Sequence, residues 1–227
     1  MKIWSRKIYL IMVILSVIAC ISDSKTEQID VDKESSKEIK ASKGYLQSIA
    51  KAHNADKFKQ ENQVKFNLKF DVGIKNFFDG VVVLKTDGSK VKFTGSDIKK
   101  IIEQKTIKSE LDKKLFFLIE LYTTGFWYDE GSFSKINSES KDFSVANIES
   151  GITNNNYTIY CHPLTDIVQY IEYETKIEDS PFDKGTLHFD RYITVNRVPV
   201  PLNWIFKSGT DTIAKAKISR ISYPKTF

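Results

Sequence analysis

Between Val64 and Val72 apolar and polar positions alternate: Val64, Phe66, Leu68, Phe70 and Val72 against Lys65, Asn67, Lys69 and Asp71. A period of two predicts an antiparallel strand with one face in a core and the other in water. The stretch before it has a different period. Over residues 43–52, Tyr45, Leu46, Ile49 and Ala50 form one stripe of an amphipathic helix, which His53-Asn54-Ala55-Asp56 ends. Two further apolar runs, Gly80 to Lys85 and Val91 to Phe93, flank Thr86-Asp87-Gly88-Ser89, and the Asp-Gly pair predicts a hairpin there. Glu110 to Tyr122 returns to helical spacing with Leu111, Leu115, Leu118, Ile119 and Tyr122, and Thr123-Thr124-Gly125 stops it.

Beyond that helix the pattern is almost all strand: 143–148, 157–162, 167–177, 186–195, 202–207 and 212–223. Turn chemistry punctuates these runs at Asn154-Asn155-Asn156, at Pro163-Leu164-Thr165-Asp166, from Asp179 to Gly185 and at Ser208-Gly209-Thr210-Asp211. Long strands at regular spacing predict one large antiparallel sheet of about nine or ten strands, which has to curl, split or close. The fold class expected is therefore α+β: a strongly curved antiparallel sheet, an incomplete barrel, with two short helices plugging its concave side. About 185 residues form one such domain, over 43–227, and bury close to 70% of their unfolded surface.

The first 42 residues do not belong to that domain. Three cations before Ile8 are followed by an apolar run to Ile21 that, at fourteen residues, is short of the roughly 20 a spanning helix needs. This is the layout of a signal peptide over 1–19. Cys20, directly after Val17-Ile18-Ala19, resembles the lipobox of bacterial lipoproteins, where the thiol is acylated and the chain cut before it. More than one acyl chain anchors stably, at about 0.8 kcal/mol per buried methylene. The alternatives are an uncleaved anchor or an ordinary secretory leader. Residues 20–42, rich in Ser, Lys, Glu and Asp, read as a flexible tether with a reach of roughly 25 Å. Ile21 lacks the Asp that by resemblance marks inner-membrane retention, so the outer membrane is the expected address.

Composition then narrows the function. Hydrophobic residues make up 41% and charged residues 28%, a folded-domain profile. Removing 1–19 takes away Lys2, Arg6 and Lys7 but no acid, leaving 31 bases against 29 acids. A mature chain this close to neutral gives no general argument for nucleic acid. Once Cys20 is acylated only Cys161 remains, so no intramolecular disulfide forms. Its neighbour His162 lies on the opposite face of a strand and cannot serve as its base. His53, His162 and His188 lack metal-ligand spacing. Asp166, Asp190, Glu172 and Glu174 are scattered acids, and no nucleophile elbow, phosphate loop or dinucleotide fingerprint occurs. No catalytic residue, metal or cofactor is assigned, and no enzyme is expected.

One resemblance covers the chain from Tyr45 to its end. The helix ending in Ala-His-Asn, the strand VKFNLKF and a late block of IYCHPLTDIVQYIEY, GTLHFDRYITVNRVPVPLNWIF and DTIAKAKISRISY resemble bacterial lipoproteins of the LolA-like superfamily. Tyr160, Pro163, Thr165 and Ile171, then Phe189, Asp190, Tyr192, Val195 and Pro201, carry the match. It implies a half-barrel with a helical lid whose apolar interior holds an acyl chain or lipidated segment. Lipidation of this chain departs from a soluble carrier and implies a membrane-tethered receptor, scaffold or lipid handler. The residues expected to meet such a ligand are Val64, Phe66, Leu68, Phe70, Leu187 and Phe189 on strands, and Phe116, Phe117 and Trp127 near the lid. The same side chains could instead pack a solid core, although fifteen Phe, ten Tyr and three Trp are many for one domain. A non-catalytic interaction lipoprotein of the envelope, with an unidentified protein partner, is the other reading.

Overall fold

The structure, a computed structural model, describes residues 44–126, 143–149, 155–179 and 181–226. The leader, Cys20, the tether and Trp127 lie outside the described residues. A helix over residues 44–52 (α1) turns at His53-Asn54 into a short second helix, Ala55–Gln60 (α2). Four strands follow: Gln63–Val72 (β1), Lys75–Lys85 (β2), Lys90–Gly95 (β3) and Lys99–Glu103 (β4). A 3-10 turn leads into the long helix Glu110–Thr123 (α3). Six strands complete the chain: Ser144–Glu149 (β5), Asn156–Cys161 (β6), Val168–Glu174 (β7), Lys184–Val195 (β8), Val198–Ser208 (β9) and Asp211–Ser222 (β10).

All ten strands form one antiparallel sheet in the order β4-β3-β2-β1-β10-β9-β8-β7-β6-β5. The chain begins in the middle, meanders outward to β4, crosses to the far edge and meanders back until β10 pairs with β1. The sheet is open, because β4 and β5 stand at opposite ends of the order. The crossing runs through α3. Its start is fixed by a capping box: Ser109 Oγ accepts from the Asp112 amide at 3.1 Å, and the Asp112 carboxylate accepts from the Ser109 amide at 3.3 Å. Lys100 on β4 reaches the same Asp112 at 2.6 Å.

Helix α3 explains why the sheet curls. The Tyr122 ring stacks 4.6 Å from Phe66 on β1, Phe117 meets Tyr173 on β7 at 5.1 Å, and Glu120 accepts a 2.8 Å hydrogen bond from Tyr157 on β6. From β1 to β6 is five strand steps, about 24 Å of flat sheet, whereas a helix with its side chains is only about 10–12 Å across. One helix touches both strands only if the sheet bends around it. Accordingly every residue from Leu115 to Thr123 is buried. The single apolar stripe expected of this helix is replaced by burial on all sides, Phe116, Phe117 and Leu121 included.

Three helices, not two, contribute to the core, since Leu46 and Ile49 of α1 and Ala55 and Phe58 of α2 are buried with the residues of α3. In the sheet, β4 was not foreseen, β2 starts at Lys75 and not at Gly80, and β9 starts at Val198 and runs through Pro199 and Pro201. The prolines have a physical explanation. β9 pairs with β8 along its length but with β10 only from Asn203 onward, so its first half has a neighbour on one side alone. Proline is tolerated there because a missing amide donor breaks no ladder on the open side.

Candidate functional site

Where β9 and β10 part, the corner between α1 and α2 closes on the sheet. Asn54 takes a left-handed backbone at φ 53°, a conformation Asn adopts more readily than most residues. Its Nδ2 donates to the Arg197 carbonyl at 2.9 Å, in the β8–β9 turn. That turn has positive φ at both central residues, Asn196 and Arg197, with Val195 paired to Val198, as a two-residue type I′ hairpin requires. The corner therefore holds the hairpin tip.

His53 makes the companion contact. Its Nε2 accepts the Val168 amide at 3.2 Å, while the Tyr192 hydroxyl donates to the Val168 carbonyl at 2.8 Å, so both backbone groups of one β7 residue are held by side chains. The ring meets Phe126 edge-on at 5.8 Å and Tyr192 at 6.1 Å, and Phe126 stacks on Phe58 at 4.2 Å. Gly125 lets the imidazole come this close: a Cβ there would stand 2.3 Å from His53 Cγ. Burial pushes the His53 pKa down to about 4, because a charged imidazole in this apolar setting loses its hydration. An accepting Nε2 also requires that nitrogen to be unprotonated, which puts the ring proton on Nδ1.

A recess of about 220 Å³, open solvent at its mouth included, is lined here by His53, Leu121, Phe126, Phe189, Tyr192 and Pro201 among others. Its enclosed part is only about 10 Å³, room for about one water molecule, so the recess as it stands holds no acyl chain. Of the residues expected to meet a ligand, Phe189 alone borders this recess. Val64, Phe66, Leu68 and Phe70 share the inner face of β1 as their alternation required, and with Phe116, Phe117 and Leu187 they are buried among other core side chains, each no more than 1% exposed. None of these seven lines the recess.

The polar candidates are dispersed. Cys161 is buried against Tyr45, and burial pushes its thiol up to about 12, while His162 is turned the other way and its Nδ1 accepts the Leu164 amide at 3.3 Å. Glu172 and Glu174 are exposed on β7, Glu172 taking a 2.9 Å hydrogen bond from Tyr160, and Asp190 accepts from Asn203. Sequence reasoning missed a buried acid on α3: Glu120 accepts from both Tyr157 and the Asn155 amide. Its place within an apolar helix was the available signal. The sequence marks His53 as a helix end and as one of three histidines without metal-ligand spacing; its pairing with Val168 spans 115 residues and has no local signature.

No protein-family model matches the chain, and no curated protein sequence does. Solved structures do share its shape. A DUF1329 family protein from Desulfovibrio piger aligns at 10% identity over 80% of this chain and 92% of its own, with a TM-score of 0.50. The LolA superfamily protein NE2245 from Nitrosomonas europaea aligns at 10% identity over 80% of this chain and 94% of its own, with a TM-score of 0.44. The chain shares the fold of the DUF1329 family protein. At such identities the likeness is one of fold alone.

Proposed function

We propose that the protein is an envelope lipoprotein, anchored in the outer membrane through acyl chains on Cys20, that binds an acyl chain, lipid or lipidated segment between α3 and the curved sheet. The observation that carries this reading is a helix buried on every side from Leu115 to Thr123, held across an aromatic-lined open sheet, with a recess at its C-terminal end beside Phe189. A chain admitted at the recess would advance by displacing α3 from the inner face, where Phe66, Phe70, Phe117 and Leu187 would replace contacts to the helix with contacts to the ligand. Because the recess alone is too small, binding and movement of α3 are one event in this scheme.

Native mass spectrometry of the purified protein should find co-extracted lipid, and a fluorescent fatty acid should bind with micromolar affinity, about −8 kcal/mol. Phe189→Glu, at a half-buried position, should weaken the probe without unfolding the protein, whereas a charge at Phe66 would be buried and destabilising. For the anchor, Cys20→Ser should release the protein from washed membranes. If the folded wild type binds no probe and carries no lipid, the second reading takes over: a non-catalytic interaction lipoprotein. The filled inner face of β1 favours that reading.

A further inference from the structure

Charge is distributed unevenly over the sheet. The adjacent strands β4, β3, β2, β1 and β10 carry eleven bases and four acids, while β5 to β9 carry three bases and four acids. Alternation sends the first group's side chains to the outer face, opposite the core. There Lys65, Lys69, Lys92, Lys99, Lys215 and Lys217 are all exposed. The register draws them together: Lys69 stands directly opposite Lys217, Lys65 and Lys92 each flank Val83, and Lys99 faces Thr94. Strand spacing and rise put the six within a patch of about 20 by 19 Å. Acids offset this face only in part: Asp79 stands opposite Lys69, Asp71 lies 3.9 Å from Lys69 and opposite Lys215, and Glu103 is paired with Lys90 at 3.1 Å, which leaves Lys65, Lys92, Lys99 and Lys217 with no acid directly across from them.

A like-charge pair directly across two strands opposes folding, and although Asp79 and Asp71 offset Lys69, the face keeps an excess of bases that an external anionic surface would complement. We propose that this face is a docking surface for an anionic phospholipid bilayer. Three features select a bilayer over other polyanions. The lysines are spread over a sheet face and not gathered in a concavity, which suits a plane of headgroups. Each of the six is a flexible point charge, and these five strands carry a single arginine, the exposed Arg220 on β10, and no cluster of arginine forks for a discrete phosphate. Between the lysines stand Val81, Val83 and the exposed Ile101, apolar groups that fit the headgroup–acyl boundary and offer no ring on which a base could stack. The surface lies on the face opposite the recess, so this inference does not rest on lipid being carried inside. It orients a tethered domain with its outer sheet face against the membrane.

The test is amine footprinting of the full-length protein on vesicles, read by mass spectrometry. On an equal mixture of phosphatidylglycerol and phosphatidylcholine, acetylation of Lys65, Lys92 and Lys217 should slow at least about fivefold relative to phosphatidylcholine alone, the factor expected of roughly one lysine's contribution near an anionic surface. Lys59, exposed on α2, is the internal reference and should react equally on both. The double variant Lys69→Gln, Lys217→Gln should remove most of the protection at Lys92 while the protein remains folded by circular dichroism. Equal labelling on the two vesicle types would overturn the proposal. So would matching protection by inorganic phosphate or an oligonucleotide without lipid.

Discussion

Replacing His53 with Gln should remove one defined share of the acid sensitivity of this fold. His53 is neutral in the native state with its pKa pushed down to about 4, from an ordinary value of 6.5, by burial. A depressed histidine binds its proton more tightly in the unfolded chain. The native state therefore has its full advantage above about pH 6.5 and loses it as the pH falls through that value towards 4. A shift of this size corresponds to about 3 kcal/mol in total, of which about 2 kcal/mol disappears between pH 7 and pH 5. The geometry gives the same sign, since protonation at Nε2 would turn the acceptor of the Val168 amide into a second donor and leave that buried amide unsatisfied. Urea denaturation of wild type and His53→Gln at pH 7, 6 and 5 isolates this contribution. His188, which burial and Lys207 also shift downward, is common to both proteins and cancels in the difference. At pH 7 the variant should be the less stable protein, and its deficit should shrink by about 2 kcal/mol at pH 5. A deficit that does not change with pH, or a His53 imidazole titrating near 6.5 by NMR, would refute the argument.

Gly125→Ala places a methyl group 2.3 Å from the His53 ring carbon, so the ring must move away from Val168. The expected cost is about 2–3 kcal/mol in denaturant unfolding, and an unchanged midpoint would show that the close approach is not required. Cys161→Ser should cost about 1–2 kcal/mol and leave ligand binding within a few-fold, as for a small buried strand residue. In the wild type this thiol, pushed up to about 12 by burial, should react with iodoacetamide only at the rate of unfolding, whereas fast labelling of the native protein would contradict its placement.

The legibility of the fold varied with how local its causes are. β1 could be read because its alternation is unbroken over nine residues, and the β2–β3 hairpin because Asp-Gly fixes a turn within four. β4 was missed because Lys99-Lys100-Ile101-Ile102 pairs like with like and shows no period of two. It is an edge strand, held on one side by β3 alone. α2 was missed because six residues contain a single buried aromatic, Phe58, too little for a stripe, and because Asn54 reads as a stop. It is a stop, but one that turns the chain and does not end the helical layer. The start of β9 was hidden by Pro199 and Pro201, whose tolerance depends on which neighbour is absent. That is a property of the assembled sheet and not of the segment.

The candidate site was less legible for a related reason. Periodicity identifies which side of a strand turns inward, and it did so for Val64, Phe66, Leu68 and Phe70. It says nothing about what stands opposite. Whether inward side chains meet a ligand or one another depends on how far the sheet bends round α3, and that is set by contacts such as Phe66 with Tyr122 and Phe117 with Tyr173, 56 residues apart in both cases. The high aromatic content follows from the same geometry. A curved sheet with one long helix among the described residues in its interior has a wide gap to fill, and large flat rings fill it with few residues. The many rings are thus compatible with a packed interior as well as with a lipid site, and the two differ in whether α3 can leave. His53 is the residue best placed to govern that. It follows α1, touches Phe126 just beyond α3 and accepts from β7, so freeing the C-terminal end of α3 requires breaking contacts that His53 and Phe58 make with Phe126. Weakening that junction by His53→Gln should therefore raise probe affinity if ligand displaces α3, and leave it unchanged if the interior is a permanent core.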